Sequence, residues 1–367
     1  MFKRSLQETL TGGSVRRITP VPSGAAIGLA AEVYAQARNE FALVPPLTIH
    51  SVVPEILAGV WCLTREAFVV GRAGRGARET VAAAVSKSNE CPFCLDVHSA
   101  MLHAARDHRL AAQLQHGEGT TDSALVAWAL ATRTRNADEL RHPPFALADA
   151  PQFIGTAVLF HFINRMVNIF LDRSPLPIEP RSATAKNILG RIFGSVLGAR
   201  IVNVDVAPGE SLRLLPDANL PTEFSWALPA PAIAGALARF NHAIEVAGVR
   251  ALPESVRKLV CAHVSEWNGD HAPASRNWAD RAVEDLVDRR EQMMARLALL
   301  AAIGSFQVSD SDIVRVREHR TSDAELLTVA AWGSLQAARR LAGWIDVTAS
   351  TEPLAERGQL PDWMGRH

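Results

Sequence analysis

Glu79-Thr80-Val81-Ala82-Ala83-Ala84-Val85-Ser86-Lys87-Ser88-Asn89-Glu90-Cys91-Pro92-Phe93-Cys94-Leu95-Asp96-Val97-His98 is the stretch whose reading decides the fold. Its first half is an Ala- and Val-rich run with no period-two alternation and no breaker, which predicts a helix over 77–88. Asn89-Glu90 breaks that helix, and Pro92 at a first-turn position favours a second one starting at Cys91-Pro92. The spacing is Glu, eleven residues, Cys, two residues, Cys, three residues, His. On a helix, Cys91, Cys94 and His98 share one face, and the two sulfurs are close enough for a disulfide. A helix start has N–H groups without intrahelical partners and a positive dipole end, both of which favour thiolate over thiol. The thiolate is the nucleophile. His98 can take or return a thiol proton. If the two helices pack antiparallel, Glu79 comes back alongside His98 and orients it. Cys91, nearer the helix start, is expected to be the more accessible sulfur.

Working outward, the same helical grammar continues. Ser23 is a candidate cap for a helix over 24–41, which Val44-Pro45-Pro46 ends. A second helix follows Pro54 through Leu57, Val60, Trp61, Leu63 and Phe68, and Gly71, Gly74 and Gly76 break the chain after it. Further helices are expected over 122–133 and 151–172. The most apolar segment, 153–171, is interrupted by His161, Asn164, Arg165 and Asn168 on one face. It reads as a helix meeting something polar and not as a membrane span. The preferred partner of that stripe is the connector or another subunit, ahead of a substrate pocket. The fold class is all-α.

The first twenty or so residues look like a flexible arm. The Pro- and Gly-rich segment from Ser174 to about Pro231 reads as a connector holding a helix over 185–199 and the one plausible strand, 200–206. Beyond it the pattern recurs. A shift of 175 residues places Glu79 on Glu254, Val85 on Val260, Pro54 on Pro229 and Arg165 on Arg340. The expected organisation is a tandem duplication: arm and first helix 1–49, catalytic unit 50–172, connector 173–224, degenerate unit 225–345 and tail 346–367. In that register Cys91, Cys94 and His98 fall on Glu266, Gly269 and Pro273, so the second unit keeps a carboxylate and lacks the thiols. His271 is close by but two residues out of register. Glu254 is expected to hydrogen-bond its surroundings.

Composition excludes several function classes. The 367 residues are 48% hydrophobic and 21% charged, with 38 Lys+Arg against 38 Asp+Glu. Zero net charge argues against a nucleic-acid footprint or general attraction to anionic membranes. Four cysteines are too few for a disulfide-built scaffold of this length. Met1 to Glu8 has no long apolar core, so no export signal is read and a cytoplasmic location is expected. Arg greatly outnumbers Lys, which with the abundant Ala reads as the codon bias of a GC-rich bacterium. Cys62 and Cys261 lie in apolar helical patterns and are expected to be buried and inert. Arg72, Arg75 and Arg78 are expected on a solvated surface, as are His103 and His108. Trp332 and Trp344 are expected in core or interface.

The Glu-x11-Cys-x2-Cys-x3-His pattern on an all-α background resembles the alkyl hydroperoxidase D-like (AhpD-like) group of the carboxymuconolactone decarboxylase-like superfamily. The specific segment runs from Glu79 to about residue 105, with weaker similarity at Phe162-Ile163-Asn164-Arg165-Met166-Val167 and Trp267-Asn268-Gly269. The resemblance implies an antioxidant enzyme, a peroxiredoxin-type alkyl hydroperoxide reductase or disulfide reductase. It makes Cys94 the peroxidatic cysteine, Cys91 the proton donor and resolving thiol, and Glu79 and His98 the proton relay. It also implies a peroxide substrate, a thioredoxin-like or lipoyl dithiol donor, no cofactor, and a homodimer or higher oligomer. Phe93 departs from the founding pattern, which has a histidine there. Zinc is the rival use of the same four groups, but three ligands on two turns of one helix fit a tetrahedron awkwardly. Lactone decarboxylation and a non-enzymatic redox sensor are the other readings. The first has no need of a CxxC; the second is made more credible by the degenerate unit.

Overall fold

The computed structural model describes residues 15–116, 123–175 and 206–345. Among them the chain is all-α, and extended backbone pairs only at one antiparallel bridge, Val15 with Leu171. The longer helices are α1 (Gly28–Glu40), α2 (Pro54–Leu63), α3 (Arg75–Ser88), α4 (Pro92–Ala104), α5 (His108–His116), α6 (Ala124–Ala131) and α7 (Ala150–Phe170), followed by α8 (Pro231–Ala251), α9 (Glu254–Glu266), α10 (Arg289–Ile303), α11 (Asp310–Arg317) and α12 (Asp323–Ala342).

Most starts follow local chemistry. Prolines open α2, α4, α7 and α8 at their first turns, where a missing N–H costs nothing. The first helix begins later than expected. Ala25 N–H closes a turn on Pro22 O at 2.9 Å and Ile27 is extended, so Ser23 caps nothing. Helix α2 runs on into one π turn, Thr64–Val69, before Val70 becomes extended. That turn carries Phe68 toward α3 and α7. Helix α12 has a complete capping box, in which Ser322 and Glu325 each bind the other's backbone N–H. Ser322→Ala is therefore expected to cost about 1 kcal/mol in urea unfolding, with no change in the thiol chemistry.

The core is continuous through both halves of the chain. Helix α3 packs against α4, α6 and α7, α2 against α8, α7 against α12, and α10 against α12. Trp61, Trp128, Phe162, Phe240 and Trp332 are buried at or below 2% exposure in one cluster. Each such side chain is worth about 1.5–3 kcal/mol of transfer free energy. The segment Leu147–Phe170 is long and apolar enough to cross a membrane, but 94% of its most apolar window is buried inside the protein. It is the central core helix.

One expectation about the flanks changes. From Val15 onward the N-terminal arm is tied down. Arg16 N–H donates to Phe170 O at 2.8 Å, the Arg17 guanidinium reaches Ile169 O at 2.6 Å and Asp310 Oδ1 at 2.8 Å, and Ile18 is buried. The expected helix over 185–199 lies outside the described residues, as does all but the last residue of the expected strand over 200–206.

Candidate active site

The dithiol stands where α3 hands over to α4. Glu90 takes a left-handed φ of 53° and Cys91 N–H turns back to Ser86 O at 3.0 Å, which ends α3. Cys91 is the residue capping α4, Pro92 is its first helical residue, and Cys94 lies within its first turn. Both sulfurs belong to free thiols. Cys91 is 1% exposed and Cys94 2%, so Cys91 is not the more accessible sulfur: the turn that ends α3 folds it inward. Burial first, and then a hydrogen bond to Cys94 together with the charge that Cys94 would carry, push the Cys91 thiol well above its ordinary 9.0.

Antiparallel packing of α3 and α4 brings Glu79 to His98. The carboxylate Oε2 lies 2.6 Å from His98 Nδ1 and accepts its hydrogen bond. Glu79 is 1% exposed, yet it remains an anion. Burial opposes ionisation, but the charge of Arg75 and then of His98 outweighs it, holding the carboxyl below its ordinary 4.5. The His98 ring meets Phe160 edge-on at 4.6 Å and Phe68 at 5.8 Å. Its side chain is 12% exposed, the most open of the four groups. With Nδ1–H given to the carboxylate, Nε2 is the nitrogen that takes up a proton. By helical spacing the ring stands one turn along the face that carries Cys94.

Arg75 and Arg78 overturn the solvated-surface expectation. Only Arg72 of the three is exposed. Arg78 is buried, donates to Phe68 O at 2.6 Å and Val70 O at 2.9 Å, and is lowered to about 9 by burial and by Arg75. Arg75 lies against Glu79. The spacing of four between Arg75 and Glu79 was the available signal, whereas Phe68 and Phe160 reach the site from distant segments and left none.

His161, Asn164 and Arg165 of the polar stripe on α7 are buried, Asn168 is half-buried, and all four are hydrogen-bonded. Among the described residues its partners are the Ser86–Asn89 segment, Thr132 and the second half of the chain. Asn89 Nδ2 donates to Asn164 Oδ1 at 3.0 Å and to His161 Nδ1 at 3.1 Å. The Thr132 hydroxyl donates to Ala129 O, so it accepts from His161 Nε2–H at 2.9 Å, which fixes that ring's tautomer. Burial, with Arg165 and Arg133 nearby, pushes His161 well below 6.5 and keeps it neutral. Arg165 joins Asn89 Oδ1 to Ala302 O, Asn168 joins Asn89 O to Ser305 Oγ, and Arg133 joins Ser88 O to Gly269 O. The turn that leads into the dithiol is thus held by the second half of the chain.

The remaining candidates separate. Cys62 is buried and its thiol pushed up to about 12 by burial, which keeps it unreactive. Cys261 is exposed, against expectation: α9 buries Val256, Val260 and Val264, and position 261 lies off that face. His103 is buried against His108, Nδ1 to Nδ1 at 3.0 Å, and does not sit on a solvated face. Trp332 is core, and Trp344 lies beside Trp267 at 6.2 Å. Glu254 is exposed and pairs with Lys258 at 2.7 Å. Among the described residues no group of three or more His, Cys, Asp or Glu side chains is arranged to hold a metal ion.

No protein-family profile matches the chain. An alkyl hydroperoxide reductase of Mycobacterium tuberculosis, Rv2159c, is 38% identical to it over 340 residues, covering 91% of this chain and 96% of that protein. Likeness at that level over nearly the whole of both chains, joined to an all-α fold, makes this chain a member of the alkyl hydroperoxide reductase, AhpD-like family.

Proposed function

We propose that the protein reduces hydroperoxides through the Cys91/Cys94 dithiol, with His98 and Glu79 as proton relay. The observation that carries this reading is the placement of two buried thiols at the start of α4, beside an ionised Glu79 held 2.6 Å from His98. The activity in the name of the mycobacterial relative agrees with it. The Cys94 thiolate attacks the terminal peroxide oxygen. The O–O bond breaks, the sulfur is oxidised to a sulfenic acid, and the departing alkoxide takes a proton from the Cys91, His98 and Glu79 set. Cys91 then attacks the sulfenic sulfur, forming the Cys91–Cys94 disulfide and releasing water. An external dithiol, thioredoxin-like or lipoyl, reduces that disulfide by exchange. No organic cofactor or metal enters any of these steps.

We also read the chain as two related units, 50–172 and 225–345. Two packings support this: α2 lies on α8 and α7 lies on α12, and each pair matches in the 175-residue register. A fused pair of this kind satisfies one subunit contact within the chain, and we expect a homo-oligomer besides, working in the bacterial cytoplasm. One equivalent of hydrogen peroxide added to the reduced protein, followed by peptide mass spectrometry, tests the reading. The expected product is the Cys91–Cys94 disulfide. Unmodified thiols at both positions would sink it.

A further inference from the structure

Arg75 is held in a fixed place against Glu79. Its Nε and Nη2 lie 2.8 and 2.7 Å from Glu79 Oε1, while His98 holds the other oxygen, Oε2. The guanidinium is stacked on Phe68, 4.2 Å from the ring centroid, with Phe41 on it at 5.6 Å. Its side chain is 10% exposed. An arginine in that setting cannot swing to solvent, and it presents a permanent charge to a carboxylate that is out of water. We propose that Arg75 is a positioning residue of the relay: fixed between Phe41 and Phe68, it holds the Glu79 carboxylate in charge and in place, and through it the Nδ1–H tautomer of His98. The inference rests on the proton-relay reading above and names the group that sets it.

The charged surroundings are few. Glu79 faces Arg75 and Arg78 on its own helix, and on α4 it faces His98, one turn beyond the Cys94 thiol. The π turn contributes Arg65 and Glu66, which pair with each other at 2.6 Å. On α7, His161 and Arg165 are bonded at Asn89, the far end of α3. Helix α5 places His108 against His103. Arg75 is therefore the guanidinium that touches Glu79 directly, on the oxygen that His98 leaves free.

The test is a carboxyl titration that uses no peroxide. In full-length protein labelled with 13C at glutamate, the Glu79 carboxyl signal is assigned by its loss in Glu79→Gln and followed with pH. The wild-type midpoint is expected below 4.5 despite burial. In Arg75→Gln it is expected to rise by about 1–2 pH units, and in Arg75→Lys to stay close to wild type. A wild-type midpoint above the ordinary carboxyl range overturns the proposal even if Arg75→Gln does not fold. So does an Arg75→Gln midpoint that does not move, or an Arg75→Lys midpoint that moves as far as the glutamine, since the role is then packing and not charge. Because the titration is independent of turnover, a wild-type protein inert to peroxide would sink the peroxidase reading and leave this result standing.

Discussion

Cys94→Ser is expected to lower peroxide consumption to background, a loss on the order of 10³-fold or more, while Cys91→Ser still reacts once with peroxide and then stops. The asymmetry follows from the geometry of the pair. Burial and the neighbouring Cys94 push the Cys91 thiol well above 9.0, which favours its protonated form. A sulfur that keeps its proton does not make the first attack; it has a proton to give to the strongly basic departing alkoxide, and the thiolate left behind is the nucleophile that resolves the sulfenic acid. Removing Cys94 removes the attacking atom, and a serine hydroxyl is neither ionised nor oxidised under the same conditions. Removing Cys91 leaves the attack possible but takes away the donor for the departing alkoxide and the thiol that resolves the sulfenic acid. The first oxidation in Cys91→Ser should therefore be slower by about 10²-fold or more, the typical worth of one positioned proton donor. Stopped-flow oxidation, followed by trapping with a sulfenic-acid reagent, reads both effects. Trapped sulfenic acid at residue 94 in Cys91→Ser supports the assignment. Trapping at residue 91 in Cys94→Ser, after one round of oxidation, would reverse the roles of the two cysteines.

The sequence showed the parts of this site that depend on neighbours along the chain. Two helices broken at Asn89-Glu90, a proline-led start at Cys91 and a four-residue step from Cys94 to His98 are all local, and each appears in the structure. Glu79 meeting His98 needed only that the two helices pack back to back. What was not legible came from burial. Arg75 and Arg78 look like a solvated cluster because arginines usually are, yet the π turn after α2 lays Phe68 over them. Cys261 sits in an apolar pattern, but one residue past Val260 is enough to turn it to solvent. Arg165 and Asn168 belonged to a visible stripe without a visible partner, since Ala302 and Ser305 lie more than 130 positions further on. Local chemistry located the dithiol; the fold of the second half decides what surrounds it.

That second half should be most sensitive at Gly269. Gly269→Ala is expected to destabilise the protein by about 2–5 kcal/mol, a large share of an ordinary domain's stability. Gly269 has a φ of 93°, a conformation that costs an L-residue about 1–2 kcal/mol. A Cβ there would also lie 1.6 Å from Arg133 O and 3.1 Å from Trp344 Cζ3. The obstructing atom is backbone, and Arg133 is fixed in turn by bonds from its own guanidinium to Ser88 O at 2.7 Å and Gly269 O at 2.8 Å. Neither partner gives way without releasing the turn that delivers Cys91. Gly209→Ala is the internal control: its φ is 89°, but nothing lies within 4 Å of the added carbon, so only the backbone term should appear. Urea unfolding followed by tryptophan fluorescence compares the two, and equal losses would mean that the contact with Arg133 carries no weight. In the register of the proposed duplication, Gly269 occupies the place of Cys94. Any side chain at 269, a cysteine included, collides with Arg133 O before it can serve as a nucleophile. Gly269→Cys should accordingly cost as much stability as Gly269→Ala and add no second peroxide-reactive site. On the proposed duplication, the junction that steadies the dithiol leaves position 269 no room for a second one.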